Sequence, residues 1–150
     1  MRVTTAYNRM LALPGAWIRD VAFSEQGTVV TVALRRKTPA CSSCGARGLK
    51  IKDYRTTRWR HLDVGGMRCV IECKLRRLYC PGCGDRPEMV EWARGGTRHA
   101  RDFDDLVAWL AQQINQTQLT ALMRIGWQDS RQDHRARRRA EAACRPSGRP

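Results

Sequence analysis

The chain contains 150 residues and carries a formal charge of +14, because 28 lysines and arginines face 14 acidic residues. A chain of this length forms one ordinary domain or two very small ones. Its hydrophobic residues include only two phenylalanines and three tyrosines, so we expect the core to need an additional staple. The basic excess favours an anionic partner such as nucleic acid. No apolar run approaches the roughly 18 residues of a membrane span, and the N-terminus lacks a secretory signal, so we expect a soluble intracellular protein.

The first two thirds of the chain are predicted to be rich in β-strands. A short helix ends at Pro14-Gly15. Four strand-like runs follow, and each consecutive pair is separated by a turn or by a cysteine motif, as expected for antiparallel hairpins. In chain order, the helix is predicted over 5–13 and the strands over 17–23, 28–34, 54–62 and 67–79.

From Arg101 the apolar residues recur with the helical period. This pattern predicts an amphipathic helix with Asp102 placed to cap it, then a shorter helix that Thr117 caps and Gly126 ends. The apolar positions are Phe103, Leu106, Val107, Leu110 and Ile114 in the first helix, and Leu119, Leu122 and Met123 in the second. The segment 128–150 contains seven arginines but no large aliphatic or aromatic residue, so we predict a disordered basic tail.

Two matching motifs carry the strongest chemical signal, Cys41-Ser-Ser-Cys44-Gly45 and Cys80-Pro-Gly-Cys83-Gly84. Each lets two thiolates approach one ion from a tight turn, and the glycine that follows permits a positive φ. Four thiolates favour one structural Zn²⁺ whose closed shell leaves no position for water. An iron-sulfur cluster or a redox pair is the alternative. Zn²⁺ with four thiolates adds −2 to the net charge, so the chain stays strongly basic when the metal is bound.

The other candidate side chains are given structural roles. Cys69 and Cys73 are four residues apart on the apolar face of a strand, which indicates buried core thiols rather than metal ligands. Asp102, Asp104 and Asp105 lie at a helix start, where they are expected to cap the helix and complement its dipole rather than to bind Mg²⁺. The three histidines have no nucleophile or acid partner at a recognisable spacing, so we predict no catalytic residue.

The predicted hairpin between the two cysteine motifs is strongly basic and carries Tyr54, Trp59 and Tyr79. Charge and aromatic rings together suit a surface that contacts phosphate, sugar and bases. The alternative is a solvated strand face whose aromatic rings cover the core. The candidate nucleic-acid-binding residues are Lys50, Lys52, Arg55, Arg58, Arg60, Arg68, Lys74, Arg76 and Arg77.

The order and spacing of these features resemble the N-terminal region of bacterial insertion-sequence transposases of the ISL-three family, over about residues 1–127. The motifs that carry the resemblance are Leu11-Ala-Leu-Pro-Gly15, the two cysteine motifs, Asp53-Tyr-Arg55, Arg60-His-Leu-Asp63, Arg76-Arg-Leu-Tyr79 and Ile125-Gly-Trp127. The resemblance implies a zinc ribbon and a helix-turn-helix that recognises the terminal inverted repeats of the mobile element. In the family, a later domain with acidic metal-binding residues cuts and joins DNA, and no residue of this chain corresponds to it.

The tail departs from that family pattern. Codons can be chosen for 129–140 whose reading one base later encodes Thr-Val-Gly-Lys-Ile-Ile-Ala-Arg-Val-Val-Ala, an amphipathic sequence. We therefore hypothesise a frameshift or truncation near Gln128 that replaced the recognition helix. The alternative is a genuine disordered Arg-rich tail that binds nucleic acid. Translation of the flanking DNA in all frames distinguishes the two.

The sequence thus predicts an α+β protein with a zinc-ribbon module over 1–90, a linker over 91–101, a partial helix-turn-helix over 102–127 and the tail over 128–150. The expected function is DNA binding at element ends without catalysis, in the bacterial cytoplasm at the nucleoid, with full-length transposase as a further partner. No membrane or small-molecule substrate is expected. A regulator that competes with intact transposase is a variant of this function. The alternative from another class is a stand-alone zinc ribbon that acts on RNA or on the transcription or translation machinery.

Overall fold

A computed structural model describes residues 1–126, which form two compact units, Met1–Ala100 and a second unit that begins at Arg101. The fold is α+β, as predicted. The helices are α1 (Val3–Leu11), α2 (Arg101–Leu110) and α3 (Gln116–Met123). The strands are β1 (Ala16–Ser24), β2 (Gly27–Leu34), β3 (Lys50–Val64), β4 (Met67–Cys80) and β5 (Gly84–Pro87). The predicted tail over 128–150 lies outside the described residues. No helix within 1–126 is long and apolar enough to cross a membrane.

The five strands form one sheet in the order β1-β2-β4-β3, and β5 pairs with the end of β4. All pairings are antiparallel except that of β2 with β4, which is parallel from Thr28 beside Cys69 to Val32 beside Cys73. The two predicted hairpins are thus present, and a parallel contact joins them. β3 begins four residues earlier than predicted because it pairs with β4 as far as Tyr79.

The core lies on one face of the sheet. Alternate residues of β2, β3 and β4 are buried there, among them Val30, Trp59 and Ile71. Tyr7 and Leu11 of α1 belong to the same buried cluster. The side chain of Asn8 fixes the helix to the sheet, because its Oδ1 accepts a hydrogen bond from the N–H of Ile18 at 2.9 Å.

The segment predicted as a linker, 91–101, is part of the first unit up to Ala100. Trp92 and Ala93 are each 3% exposed, and the Trp92 ring meets Trp59 edge to face with centroids 5.5 Å apart. The N–H of Ala100 donates to the carbonyl of Arg60 at 2.8 Å, so the end of this segment pairs with β3. Two glycines suggested a linker, but apolar residues on both sides of them supply core contacts. The boundary between the units therefore lies after Ala100.

The second unit contains the two predicted helices. Phe103 and Val107 of α2 and Leu119 and Met123 of α3 are buried, in agreement with the helical period. Asp102 lies within the first turn of α2 and complements its dipole rather than preceding the helix as a cap. The predicted cap Thr117 is also inside a helix. α3 is capped by Asn115 and Gln118 in a reciprocal capping box, and it ends at Arg124 with φ 53° rather than at Gly126.

Candidate metal centre and basic surface

The backbone brings the two cysteine motifs together at the end of the sheet. The first motif is fixed to the segment after β5, because the N–H of Met89 donates to the carbonyl of Ala40 at 2.8 Å and Cys41 bridges to Glu88. The second motif links β4 to β5. Gly45 and Gly84, with φ of 74° and 77°, close the two turns in the left-handed region as predicted.

We call each of these two cysteine turns a knuckle. The four knuckle sulfurs, those of Cys41, Cys44, Cys80 and Cys83, all lie within 4.8 Å of one another. The Sγ atoms of Cys44 and Cys80 are 3.6 Å apart. Tetrahedral Zn²⁺ with Zn–S bonds of 2.3 Å places its sulfurs about 3.8 Å apart, so the donor set fits this ion. Cys41 and Cys80 are buried, whereas Cys44 is exposed. All four positions of a tetrahedral ion are then filled by protein, which makes the site structural.

The thiols of this cluster are electrostatically unequal. Burial opposes the ionisation of Cys41, but hydrogen bonds from the backbone of Cys44 and Ser43 outweigh it, and the pKa of Cys41 falls to about 7. A hydrogen bond with Cys44 raises the pKa of Cys83 to about 12. The Cys41 thiolate thus forms readily, whereas the Cys83 thiol retains its proton. A divalent cation replaces those protons when it binds, so metal binding releases protons.

The other two described cysteines that the sequence placed in the core are buried. Cys69 is 0% exposed and Cys73 is 1% exposed. Burial raises the pKa of Cys69 to about 11 and that of Cys73 to about 12. They lie on the core face of β4 among aliphatic side chains and are not in the knuckle cluster. Their prediction as buried core thiols is confirmed.

One predicted DNA contact, Arg76, forms an internal clamp. Its guanidinium donates to both carboxylate oxygens of Glu88, at 2.8 to 3.1 Å, and the Glu88 side chain is only 2% exposed. The same guanidinium donates to the carbonyls of Arg36 and Lys37. Hydrogen bonding to Glu88 raises the pKa of Arg76. The backbones of Glu88 and Cys41 form an antiparallel β-bridge. Through Glu88, Arg76 therefore connects β4, which ends in the second knuckle, with the first knuckle.

Four more of the nine predicted basic contacts are in ion pairs. Arg60 is the least exposed of them, with 13% of its side chain accessible, whereas Arg58 is 66% exposed. Lys52 also lowers the pKa of its partner Asp85. These ion pairs are Lys52 with Asp85, Arg58 with Glu72, Arg60 with Asp63 and Arg77 with Asp53.

The remaining predicted basic contacts differ in their surroundings. Lys50 and Arg55 on β3 and Lys74 on β4 are exposed, and these three have no carboxylate partner within residues 1–126. The ammonium group of Lys74 lies over the Tyr54 ring, 5.3 Å from its centroid. Arg68 is exposed near the turn between β3 and β4. The structure thus places five of the nine residues in ion pairs and leaves Lys50, Arg55 and Lys74 exposed.

The aromatic residues of the hairpin divide in the same way. Trp59 is 4% exposed and belongs to the core, whereas Tyr54 and Tyr79 are each 56% exposed. Sequence reasoning missed Trp17 of β1, which is 42% exposed with the guanidinium of Arg19 5.4 Å from its ring centroid. The alternation of β1 was the available signal, because Trp17 precedes the buried Ile18.

Comparison with known proteins agrees with this geometry. Residues 37–84 match the family model described as the zinc-finger of transposase IS204/IS1001/IS1096/IS1165. The chain is 35% identical over 118 residues to the transposase for insertion sequence element IS1557 from Mycobacterium tuberculosis, in both strain CDC 1551 / Oshkosh and strain ATCC 25618 / H37Rv. The match covers 73% of this chain and 27% of each relative. No solved structure matches the chain. The ribbon match and the four-sulfur cluster together identify one structural zinc.

Proposed function

Because the chain corresponds to the N-terminal region of an ISL-three type transposase, we propose that it binds double-stranded DNA at the ends of an insertion sequence. The relatives are transposases by name, and the chain spans about a quarter of their length. In this proposal, the segment binds DNA in the bacterial cytoplasm at the nucleoid and has no catalytic role. Cutting and joining of strands belong to the remaining length of a full transposase, which is also its proposed protein partner.

The distribution of cations along β3 carries the proposal. Within residues 1–126, β3 is an edge strand of the sheet, and residues 98–100 pair with it near Arg60. Lys50 and Arg55 are exposed and outside the described ion pairs, and Arg58 is 66% exposed although it pairs with Glu72. From Lys50 to Arg58 the strand extends about 26 Å at 3.3 Å per residue. This length spans several base pairs at 3.4 Å each.

Arginine and lysine side chains from both faces of an edge strand can reach one phosphate backbone, because successive residues project to opposite sides. We propose that the DNA backbone runs along this edge of β3. The structural zinc holds this surface in place, because it joins the loop before β3 to the end of β4, and β4 is the pairing partner of β3. Phosphate contacts of this kind position the protein but do not read sequence.

The test is the salt dependence of duplex binding, measured by fluorescence anisotropy with a labelled 20-base-pair duplex and the zinc-loaded chain. Each phosphate contact contributes about 0.9 to the slope of log affinity against log salt. Arg55→Ala should therefore lower the slope by about one and weaken binding to all duplexes alike. Arg9→Ala is the matched control, since Arg9 is an exposed cation on α1. Binding that does not respond to salt, or equal losses for the two variants, would contradict the proposal.

A further inference from the structure

The sheet has a second face, opposite the core, that is built differently from the β3 edge. On β2, buried residues alternate with the half-buried Val29, Thr31 and Ala33. Val70 and Glu72 are half-buried at the equivalent positions of β4. Small and medium side chains that alternate with a buried set, and that stay partly accessible, form a shallow open surface. We call this surface the open face.

Two exposed aromatic rings lie at opposite sides of the open face. Trp17 pairs with Ala33 across β1 and β2, so its side chain projects to the open face, whereas that of the next residue, Ile18, projects into the core. Tyr54 belongs to β3, and the ammonium group of Lys74 over its ring places both on the open face. Lys74 lies between the buried Cys73 and Leu75, which confirms this orientation.

Both rings have a cation beside them. Arg19, at the β-bulge between Ile18 and Asp20, lies over Trp17 as Lys74 lies over Tyr54. β1 and β3 are separated by three strand spacings of 4.7–4.9 Å, or about 14 Å across the strands, and the register offsets Tyr54 from Trp17 by about two residues along the strands. Aromatic platforms flanked by cations bind single strands, because bases stack on the rings while phosphates meet the charges.

We propose that the open face binds single-stranded DNA, with one base on Trp17, another on Tyr54, and phosphates near Arg19 and Lys74. The choice of DNA over RNA rests on the proposed function, whereas the single-strand chemistry rests on the two rings. In duplex DNA the bases are stacked on one another, so their faces are not available to rings on a sheet. The open face therefore recognises a different form of nucleic acid from the β3 edge.

The carboxylates on this face limit the path of the strand. Glu72 accepts a hydrogen bond from Arg58 at 2.6 Å, so a cation neutralises it. Asp20 lies beside Thr31, and Thr31 lies beside Glu72, in the row next to that of Trp17 and Ala33. The row of Trp17 and Ala33 continues toward Lys74 and Thr56 and contains no acidic residue, whereas Tyr54 lies in the following row beside Arg76, which pairs with the buried Glu88. The strand is thus expected to cross the sheet obliquely, from Trp17 on β1 past Lys74 to Tyr54 on β3.

The test uses the zinc-loaded full chain and two labelled probes, a 12-nucleotide oligothymidine and a 20-base-pair random duplex. Trp17→Ala and Tyr54→Ala should each weaken oligothymidine binding at least about fivefold, and duplex binding should stay within twofold of the parent chain. Trp17→Phe should restore most of the affinity because it keeps a ring. Tyr79→Ala is the matched control, since Tyr79 is as exposed as Tyr54 but lies on the opposite side of the hairpin.

The outcomes separate this proposal from the proposed function. The open-face proposal is supported if Trp17→Ala and Tyr54→Ala lose oligothymidine binding and Tyr79→Ala does not, whether or not the chain binds the duplex. If duplex binding is absent while ring-dependent oligothymidine binding persists, the β3 edge proposal fails and this one stands. Unchanged oligothymidine binding in both ring variants overturns the open-face proposal. The proposal is also overturned if the chain binds an oligouridine more tightly than the oligothymidine. A dimer that is detected by sedimentation and lost in Trp17→Ala, while the affinity for both probes is unchanged, overturns it as well.

Discussion

Replacement of Arg76 by methionine removes the cation that pairs with Glu88 and keeps a long unbranched side chain in its place. The carboxylate of Glu88 is 2% exposed, so the variant leaves a buried charge with only one of its hydrogen bonds, that from the backbone N–H of Arg76. Loss of one partner from a buried ion pair costs about 3–5 kcal/mol. The Arg76 side chain is 19% exposed, which favours the lower end, about 3 kcal/mol. A domain is typically stable by about 5–15 kcal/mol, so this loss is large.

The assay is urea unfolding of the zinc-loaded chain, followed by circular dichroism. Arg76→Met with Glu88→Leu should recover much of the lost stability, because removal of both charges leaves no unpaired carboxylate. Arg58→Ala is the control, since the Arg58 side chain is 66% exposed and its ion pair should contribute about 0–1 kcal/mol. The folded Arg76→Met chain should bind duplex DNA with unchanged affinity. A cost below about 1 kcal/mol, together with weaker DNA binding, would show instead that Arg76 contacts phosphate and would refute the clamp.

Three further measurements follow from the structure. In the folded, zinc-loaded protein, Cys69 and Cys73 should react about 100- to 1000-fold more slowly than a free thiol at pH 8, since their pKa values are about 11 and about 12 against an ordinary 9.0. Chelation of zinc should unfold the ribbon and make its four ligand thiols reactive; reaction of Cys69 and Cys73 at the rate of a free thiol before chelation would contradict the assignment. Gly27→Ala should destabilise by about 1–3 kcal/mol, because Gly27 has φ 135° and an added Cβ would lie 2.5 Å from the carbonyl oxygen of Arg68. Gly65→Ala, where the Cβ meets open space, should cost less, and an equal cost would refute the steric argument. In competition assays, affinity for an inverted-repeat duplex should scarcely exceed that for random duplex, because phosphate contacts dominate; a strong preference for the repeat would contradict this.

The local features of the fold could be predicted from sequence because they depend on neighbouring residues. The two-residue period of 67–79 placed Cys69 and Ile71 on a buried face, and the structure confirms both. The paired Cys-x-x-Cys-Gly motifs predicted one zinc site, because ligand spacing and the glycine turns are encoded within a few residues. The helical period located α2 and α3, but not the cap of α3, since Asn115 and Thr117 are both residues that commonly cap helices.

The long-range pairings could not be predicted in this way. Nothing in β2 alone specifies that it pairs in parallel with β4, because the same β-branched pattern suits either orientation. The pairing of Ala100 with Arg60 had no periodic signal, and the glycines at 95 and 96 suggested a linker. The core role of Trp92 depends on its contact with Trp59, a residue 33 positions earlier. Such contacts depend on topology rather than on local sequence.

The division of the basic residues depends on the same register. β3 and β4 contain comparable numbers of charges in sequence, but the pairing places Arg58 beside Glu72 and Arg77 beside Asp53. β5 and the residue after it bring carboxylates to Lys52 and Arg76. The nine basic residues of the hairpin therefore overstate the charge available to a phosphate, because five of them pair with carboxylates within the fold. The exposed remainder follows the β3 edge and the open face, and those two surfaces, rather than the whole basic hairpin, are where substitutions should alter DNA binding without altering stability.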